Sequence, residues 1–233
     1  MIFNNMKLIV VGDSFVEGLI KLPNENTFEN RKKINFATKL GDLLNMEVIN
    51  LGQRGAGSHY ISHSIVSYIQ NNPNDEYFVL VVWSGAGRCW NYDVVERKYS
   101  PDTIRKSECY ETYDELMFLN HMFVRGVHDF LKSKNIPHLM TNSYEDFKHI
   151  SDLGLSIDDM LPYWIEWTSD SNTLYNIISE NFLNPTDGLF GHIDEFKSPP
   201  NSKYITECYH PSDDGHTLIA KTLIPYIKSK LVI

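Results

Sequence analysis

Residues 8–15 read Leu8-Ile9-Val10-Val11-Gly12-Asp13-Ser14-Phe15, and this stretch decides the fold. The run 8–11 is continuous, apolar and mostly β-branched, as expected of a strand buried on both faces of a parallel sheet. Gly12 permits a tight turn, and Ser14 follows at once. In an open α/β sheet ligands bind outside the carboxyl ends of the strands, so Ser14 stands where a substrate can reach it. A helix starting there would aim its backbone N–H at an oxyanion. Taken alone, Gly-Asp-Ser is also a common turn whose Ser caps a helix.

Outward from this strand the chain alternates helix and strand patterns, the signature of a parallel sheet flanked by helices. Ile34, Ala37, Leu40, Leu43 and Leu44 have helical spacing, 47–51 reads as a strand, and Tyr60, Ile61, Ile65 and Ile69 mark another helix face. Tyr77 to Trp83 is the strongest strand. A long helix is expected from Tyr113 to Lys134, with Leu116, Leu119, Phe123, Val127 and Phe130 on one stripe, then a strand from Ile136 to Thr141. Regularity fades over about 145–206, an insertion rich in breakers that suits a lid. Ser212 to Leu231 reads as a helix that Pro225 should kink or split. The expectation is one domain over 1–233, a three-layer α/β/α sandwich whose mainly parallel sheet has four or five strands.

The 233 residues suffice for one sizeable domain, and 42% hydrophobic content supports a packed core. The net charge of −9 argues against nucleic acid as a partner, because phosphate binding needs clustered Lys and Arg. Cys89, Cys109 and Cys208 match no metal-ligand spacing and suggest no structural disulfide. No apolar run is long enough to span a membrane. The N-terminal apolar stretch is too short for a secretory segment and lacks a cleavage site, so a cytoplasmic protein is expected. High Asn, Ile and Lys usage would suit an AT-rich bacterial or viral genome.

Two further segments carry chemistry. After the second strand comes Asn50-Leu51-Gly52-Gln53-Arg54-Gly55-Ala56-Gly57-Ser58. Its glycines let backbone N–H groups approach a bound oxygen; a flexible turn or a phosphate loop are the other readings. The lysine of a P-loop is missing, which counts against nucleotide. Near the far end stands Glu207-Cys208-Tyr209-His210-Pro211-Ser212-Asp213-Asp214-Gly215-His216. A neutral imidazole at His210 can take a serine proton, with a carboxylate three residues earlier to orient it. The same residues also make a capped helix start. His216, inside that helix, reads as structural.

Together the three segments, in this order, resemble the SGNH/GDSL hydrolase superfamily, and the resemblance spans nearly the whole chain. It implies a flavodoxin-like fold and a serine esterase that needs no cofactor and no metal. It assigns Ser14 as nucleophile, His210 as base and Glu207 as orienting acid, with the N–H groups of Ser14 and Gly55 holding the oxyanion. The chain departs from the family pattern twice. Glu207 stands where the family has Asp, and Gly87 stands where an Asn normally donates to the oxyanion. Arg88 leads the candidates to replace that donor, with Ser84 and Asn91 behind it.

Asp13 is expected to tighten the loop around Ser14; it, Trp164 and Trp167 are the candidates for substrate contact. The aromatic pair suits a sugar or acyl group, though packing of the insertion would use it equally well. His59 and His63 have a metal-compatible spacing but no third ligand, and read as surface or capping residues. The expected substrate is a small-molecule or glycan ester, such as an O-acetyl or short acyl group on a carbohydrate. Acyl transfer at the same site, or a non-catalytic glycan-binding or assembly role for the fold, are the alternatives.

Overall fold

The structure, a computed structural model, describes residues 6–18, 35–84, 88–93, 98–103, 113–143 and 210–231, with backbone alone over 88–93, 98–103 and 113–117. In chain order the elements are β1 (Met6–Val11), α1 (Ser14–Glu17), α2 (Phe36–Leu44), β2 (Glu47–Asn50), α3 (Ser58–Asn71), β3 (Glu76–Trp83), β4 (Arg88–Asp93), β5 (Lys98–Thr103), α4 (Tyr113–Ser133), β6 (His138–Asn142) and α5 (Asp213–Leu231).

Strands β2, β1, β3 and β6 form one sheet in that order, every neighbouring pair parallel. The order is that of a flavodoxin-like sheet. The chain leaves β1 toward β2 and then crosses back to β3, which opens a crevice at the carboxyl ends of β1 and β3. Period-two alternation sends β1 and β3 side chains to two separate cores. Leu8, Val10, Phe78, Leu80 and Val82 pack with Phe36 and Leu40 of α2 and with Ile219, Leu223 and Ile227 of α5. Ile9, Val11, Val79, Val81 and Trp83 pack with Ile61 and Ile65 of α3 and with Val124, Val127 and Leu131 of α4. Helices on both faces of the sheet make three layers. Burying one such side chain is worth about 1.5–3 kcal/mol, so the two cores dominate the stability of the sheet.

Local chemistry sets the helix ends. Asn35 Oδ1 accepts the N–H of Thr38 at 2.9 Å and starts α2, and Asn45 ends it in the left-handed region at φ 54°. Ser212 Oγ accepts the N–H of Gly215 at 3.1 Å, with Asp213 and Asp214 in the first turn of α5.

Four expectations shift. Leu43 is 49% exposed, because the buried stripe of α2 is Phe36, Ala37, Leu40, Gly41 and Leu44 and Leu43 falls beside it. In α4 the buried apolar stripe is Val124, Val127 and Leu131; Asn120, His121 and His128 are buried beside it, which an apolar-only pattern overlooks. Helix α5 runs unbroken through Pro225, held by Ile219, Leu223 and Ile227 in the core on both sides of it. Strands β4 and β5 form an antiparallel hairpin, Trp90 opposite Pro101, where no strand was expected. The insertion at about 145–206 lies outside the described residues.

Candidate active site

Ser14 is the first residue of α1, directly beyond β1, and is 3% exposed. Asp13 winds the loop around itself. Its carbonyl accepts the N–H groups of Val16 (3.1 Å) and Glu17 (3.0 Å), and its Oδ1 accepts that of Phe15 at 2.9 Å. Its Oδ2 accepts from Ser143 Oγ at 2.8 Å, just past β6. Asp13 is fully buried. Its carboxylate accepts from Phe15 N and Ser143 Oγ, which tightens the loop around Ser14. Gly12 is needed because a Cβ there would lie 2.7 Å from Val82 O and 2.6 Å from Val16 Cγ2.

His210 reaches this serine from the other end of the chain: Nε2 lies 2.8 Å from Ser14 Oγ. The imidazole sits with its ring centroid 5.7 Å from that of Phe15. With the ring proton on Nδ1, Ser14 Oγ donates to Nε2, the arrangement that lets an imidazole take the serine proton. The backbone that carries His210 is fixed by α5. His216 N donates to Ser212 O at 2.8 Å, and Lys39 of α2 pairs with Asp213 at 2.8 Å. His216 is buried, and its Nδ1 accepts the N–H of Phe36 at 3.2 Å. Burial, then the Lys39 charge, pushes its pKa down to about 3, so it is a neutral structural imidazole.

Gly55 lies in the turn after β2 with φ 74°, in the left-handed region. Ala56 N donates to Gln53 O at 3.0 Å, closing a four-residue turn with Gly55 at its third position, as in a type II turn. The root of this loop is tied to β1 and its exit. Leu51 N donates to Val10 O at 2.8 Å and Gln53 N to Gly12 O at 3.0 Å. Ser84 Oγ donates its one hydrogen to Ala56 O at 2.6 Å, which braces the loop.

Of the other expected site residues, Glu207, Gly87, Trp164 and Trp167 lie outside the described residues. Arg88 is described by its backbone, at the start of β4. His59 packs on Phe123 with ring centroids 5.8 Å apart, and His63 Nε2 lies 3.4 Å from Ser67 Oγ. Among the described residues no cluster of His, Cys, Asp and Glu has the makings of a metal site, and no helix is long and apolar enough to cross a membrane.

Sequence reasoning missed Glu17, Asn50 and Ser143. Glu17 is buried, and its Oε2 accepts the N–H of Arg54. Asn50 Nδ2 donates to Val16 O at 2.9 Å while its Oδ1 accepts the N–H of Gly52 at 2.8 Å. An acid in an otherwise apolar turn and an Asn two residues before a Gly are faint signals of such clamps.

No family model matches the chain, and no curated protein matches it. Solved structures do. A catalytic mutant of Axe2, an acetylxylan esterase from Geobacillus stearothermophilus, aligns at TM-score 0.52 and 14% identity over 96% of this chain and 94% of its own. Esterase EstA from Pseudoalteromonas sp., inhibited by monoethylphosphonate, aligns at 0.52 and 11% over 99% and 100%. A protein described as lipolytic and of the G-D-S-L family, from Desulfitobacterium hafniense DCB-2, aligns at 0.52 and 11% over 94% and 97%. At such identities the likeness is one of fold.

Proposed function

We propose that this chain, which has the three-layer fold of the SGNH/GDSL hydrolases, is a serine esterase acting through Ser14 and His210. The observation that carries the reading is the 2.8 Å approach of His210 Nε2 to Ser14 Oγ at the carboxyl end of β1. Two residues that share no local structure meet at the crevice where an open α/β sheet binds its ligands.

His210 takes the proton of Ser14 as Oγ attacks the ester carbonyl carbon. Charge gathers on the carbonyl oxygen, which the N–H groups of Ser14 and Gly55 stabilise, with Arg88 as third donor. Glu207 accepts from the other imidazole nitrogen and holds the tautomer that the transfer needs. As the tetrahedral adduct collapses, His210 returns its proton to the leaving alkoxide, and an acyl-enzyme remains. Water then attacks, giving its proton to His210, and the acid departs as Ser14 recovers its hydrogen. Every step moves one proton between oxygen and Nε2, and the ring charge is transient.

The substrate proposed is a short acyl ester, such as an O-acetyl group on a carbohydrate. Support comes from the acetylxylan esterase among the fold relatives; Trp164 and Trp167 are the side chains proposed to take the sugar ring. The test is a fluorophosphonate probe with p-nitrophenyl acetate and acetylated xylo-oligosaccharides as substrates. Wild-type protein labels and hydrolyses, and Ser14→Ala does neither. Folded wild-type protein that neither labels nor cleaves any ester overturns the proposal in favour of a non-catalytic use of the fold.

A further inference from the structure

The turn that carries Gly55 is fastened to the helix that carries Ser14, and the outermost fastening is one buried carboxylate. Three bonds secure the root of the loop: Leu51 N to Val10 O (2.8 Å), Gln53 N to Gly12 O (3.0 Å) and Asn50 Nδ2 to Val16 O (2.9 Å). Packing adds to them, since a Cβ on Gly52 would lie 2.7 Å from the carbonyl carbon of Val16. The tip, Arg54-Gly55, extends past this root. There Glu17 Oε2 accepts the N–H of Arg54.

That bond has a specific mechanical consequence. The central peptide of the turn joins Arg54 to Gly55, and its N–H is the one assigned to the oxyanion. Rotation of this peptide interconverts type I and type II turns, which swings the Gly55 N–H to the opposite side. Anchoring the peptide before it through Arg54 N, and the one after it through Ala56 N to Gln53 O at 3.0 Å, holds in place the two Cα atoms between which the donor peptide lies, while φ 74° at Gly55 sets the side its N–H faces. A carboxylate acceptor makes the stronger kind of hydrogen bond. Glu17 is three residues after Ser14 on α1, so one short helix sets the nucleophile and the donor peptide together.

We infer that Glu17 is a positioning residue of the oxyanion site, acting through Arg54 N to hold the peptide that carries the Gly55 N–H at its place relative to Ser14. The inference rests on the esterase reading. Glu17 touches neither substrate nor reacting atoms in this role.

Three variants separate the possibilities. Glu17→Met keeps the length and volume of the side chain and deletes the acceptor. Glu17→Gln keeps an acceptor oxygen at the same reach and deletes the charge. Glu17→Asp keeps the charge and shortens the reach by one methylene. In p-nitrophenyl acetate hydrolysis, Glu17→Met should lower kcat by about 10- to 100-fold with KM within about twofold. That is a fraction of the roughly 10²–10³ that loss of a whole oxyanion donor costs. Glu17→Gln should restore kcat to within about threefold of wild type, and fluorophosphonate labelling rates should follow the same order. Thermal melts establish folding, and if Glu17→Met fails to melt cooperatively, Glu17→Asp takes its place with the same expected loss. A wild-type kcat in Glu17→Met, a change in KM alone, or equal losses in the Met and Gln variants overturns the assignment. Wild-type protein inert to probe and ester overturns the esterase reading itself. Active wild type with unimpaired Glu17→Met overturns only the role of Glu17.

Discussion

Ser143 Oγ donates to Asp13 Oδ2 across 2.8 Å, joining the end of β6 to the loop that presents Ser14. The bond bridges two strands that are not neighbours, since β3 lies between β1 and β6. Both residues are fully buried. The Asp13 carboxylate therefore depends on Ser143 for one of its donors.

Removing that donor should be felt in stability first. Ser143→Ala leaves a buried carboxylate oxygen short of a hydrogen bond, which costs about 1–3 kcal/mol. Urea unfolding should show a lower midpoint with an unchanged slope. An unshifted midpoint would mean that Asp13 finds another partner at no cost.

His210 is only half-buried, so its role can be separated from folding. His210→Ala should leave the melting temperature nearly unchanged and lower kcat by at least about 10³-fold, as loss of a catalytic base does. Fluorophosphonate labelling should fall with it. Retention of more than a tenth of the activity would place the base elsewhere.

Two buried imidazoles make the fold acid-sensitive. Burial first, then the neighbouring His128, Lys230 and Lys132, pushes His138 down to about 4 against a favourable carbonyl from Ile136. His216 lies near 3 for the reasons already given. Both fall below the ordinary histidine value of 6.5, so the unfolded chain binds these protons more readily than the folded one. Stability is therefore complete above about pH 6.5 and drops as the pH falls below it. Between pH 7.5 and 5, each group should remove about 2 kcal/mol. Urea midpoints measured across that range check the sign, and a midpoint that rises on acidification would contradict it.

Glycines divide into those that packing requires and those it does not. At Gly52 a Cβ meets the backbone of α1, whereas at Gly126 on α4 nothing lies within 4 Å. Gly52→Ala should destabilise by about 1–3 kcal/mol and slow turnover, because α1 must move. Gly126→Ala should stabilise by about 0.5–1 kcal/mol through helix propensity. Thermal melts of the two variants, run side by side, give opposite signs.

The four parallel strands and the Ser14 loop were legible because strands buried on both faces leave continuous apolar runs. The pairing of Ser14 with His210 was legible only through resemblance, since no periodicity links residues so far apart. The stripe of α4 was misplaced because Asn120, His121 and His128 are buried there, and an apolar pattern counts them as exterior. The β4–β5 hairpin left no signal because a proline, Pro101, counts against a strand, yet the segment pairs as one. Glu17 was passed over because its partner, the Arg54 N–H, is 37 positions away. Clamps between a side chain and a distant backbone leave no mark on sequence spacing.

Ser14 and His210 stand 196 positions apart, and α5 holds His210 in place by docking on α2. During synthesis the segment bearing Ser14 leaves the ribosome long before His210 exists. On the proposed reading a growing chain is chemically silent toward esters, however well its sheet has formed. Its reactivity would arrive only when α5 seats, so hydrolysis would report on the completeness of the fold as directly as any structural probe.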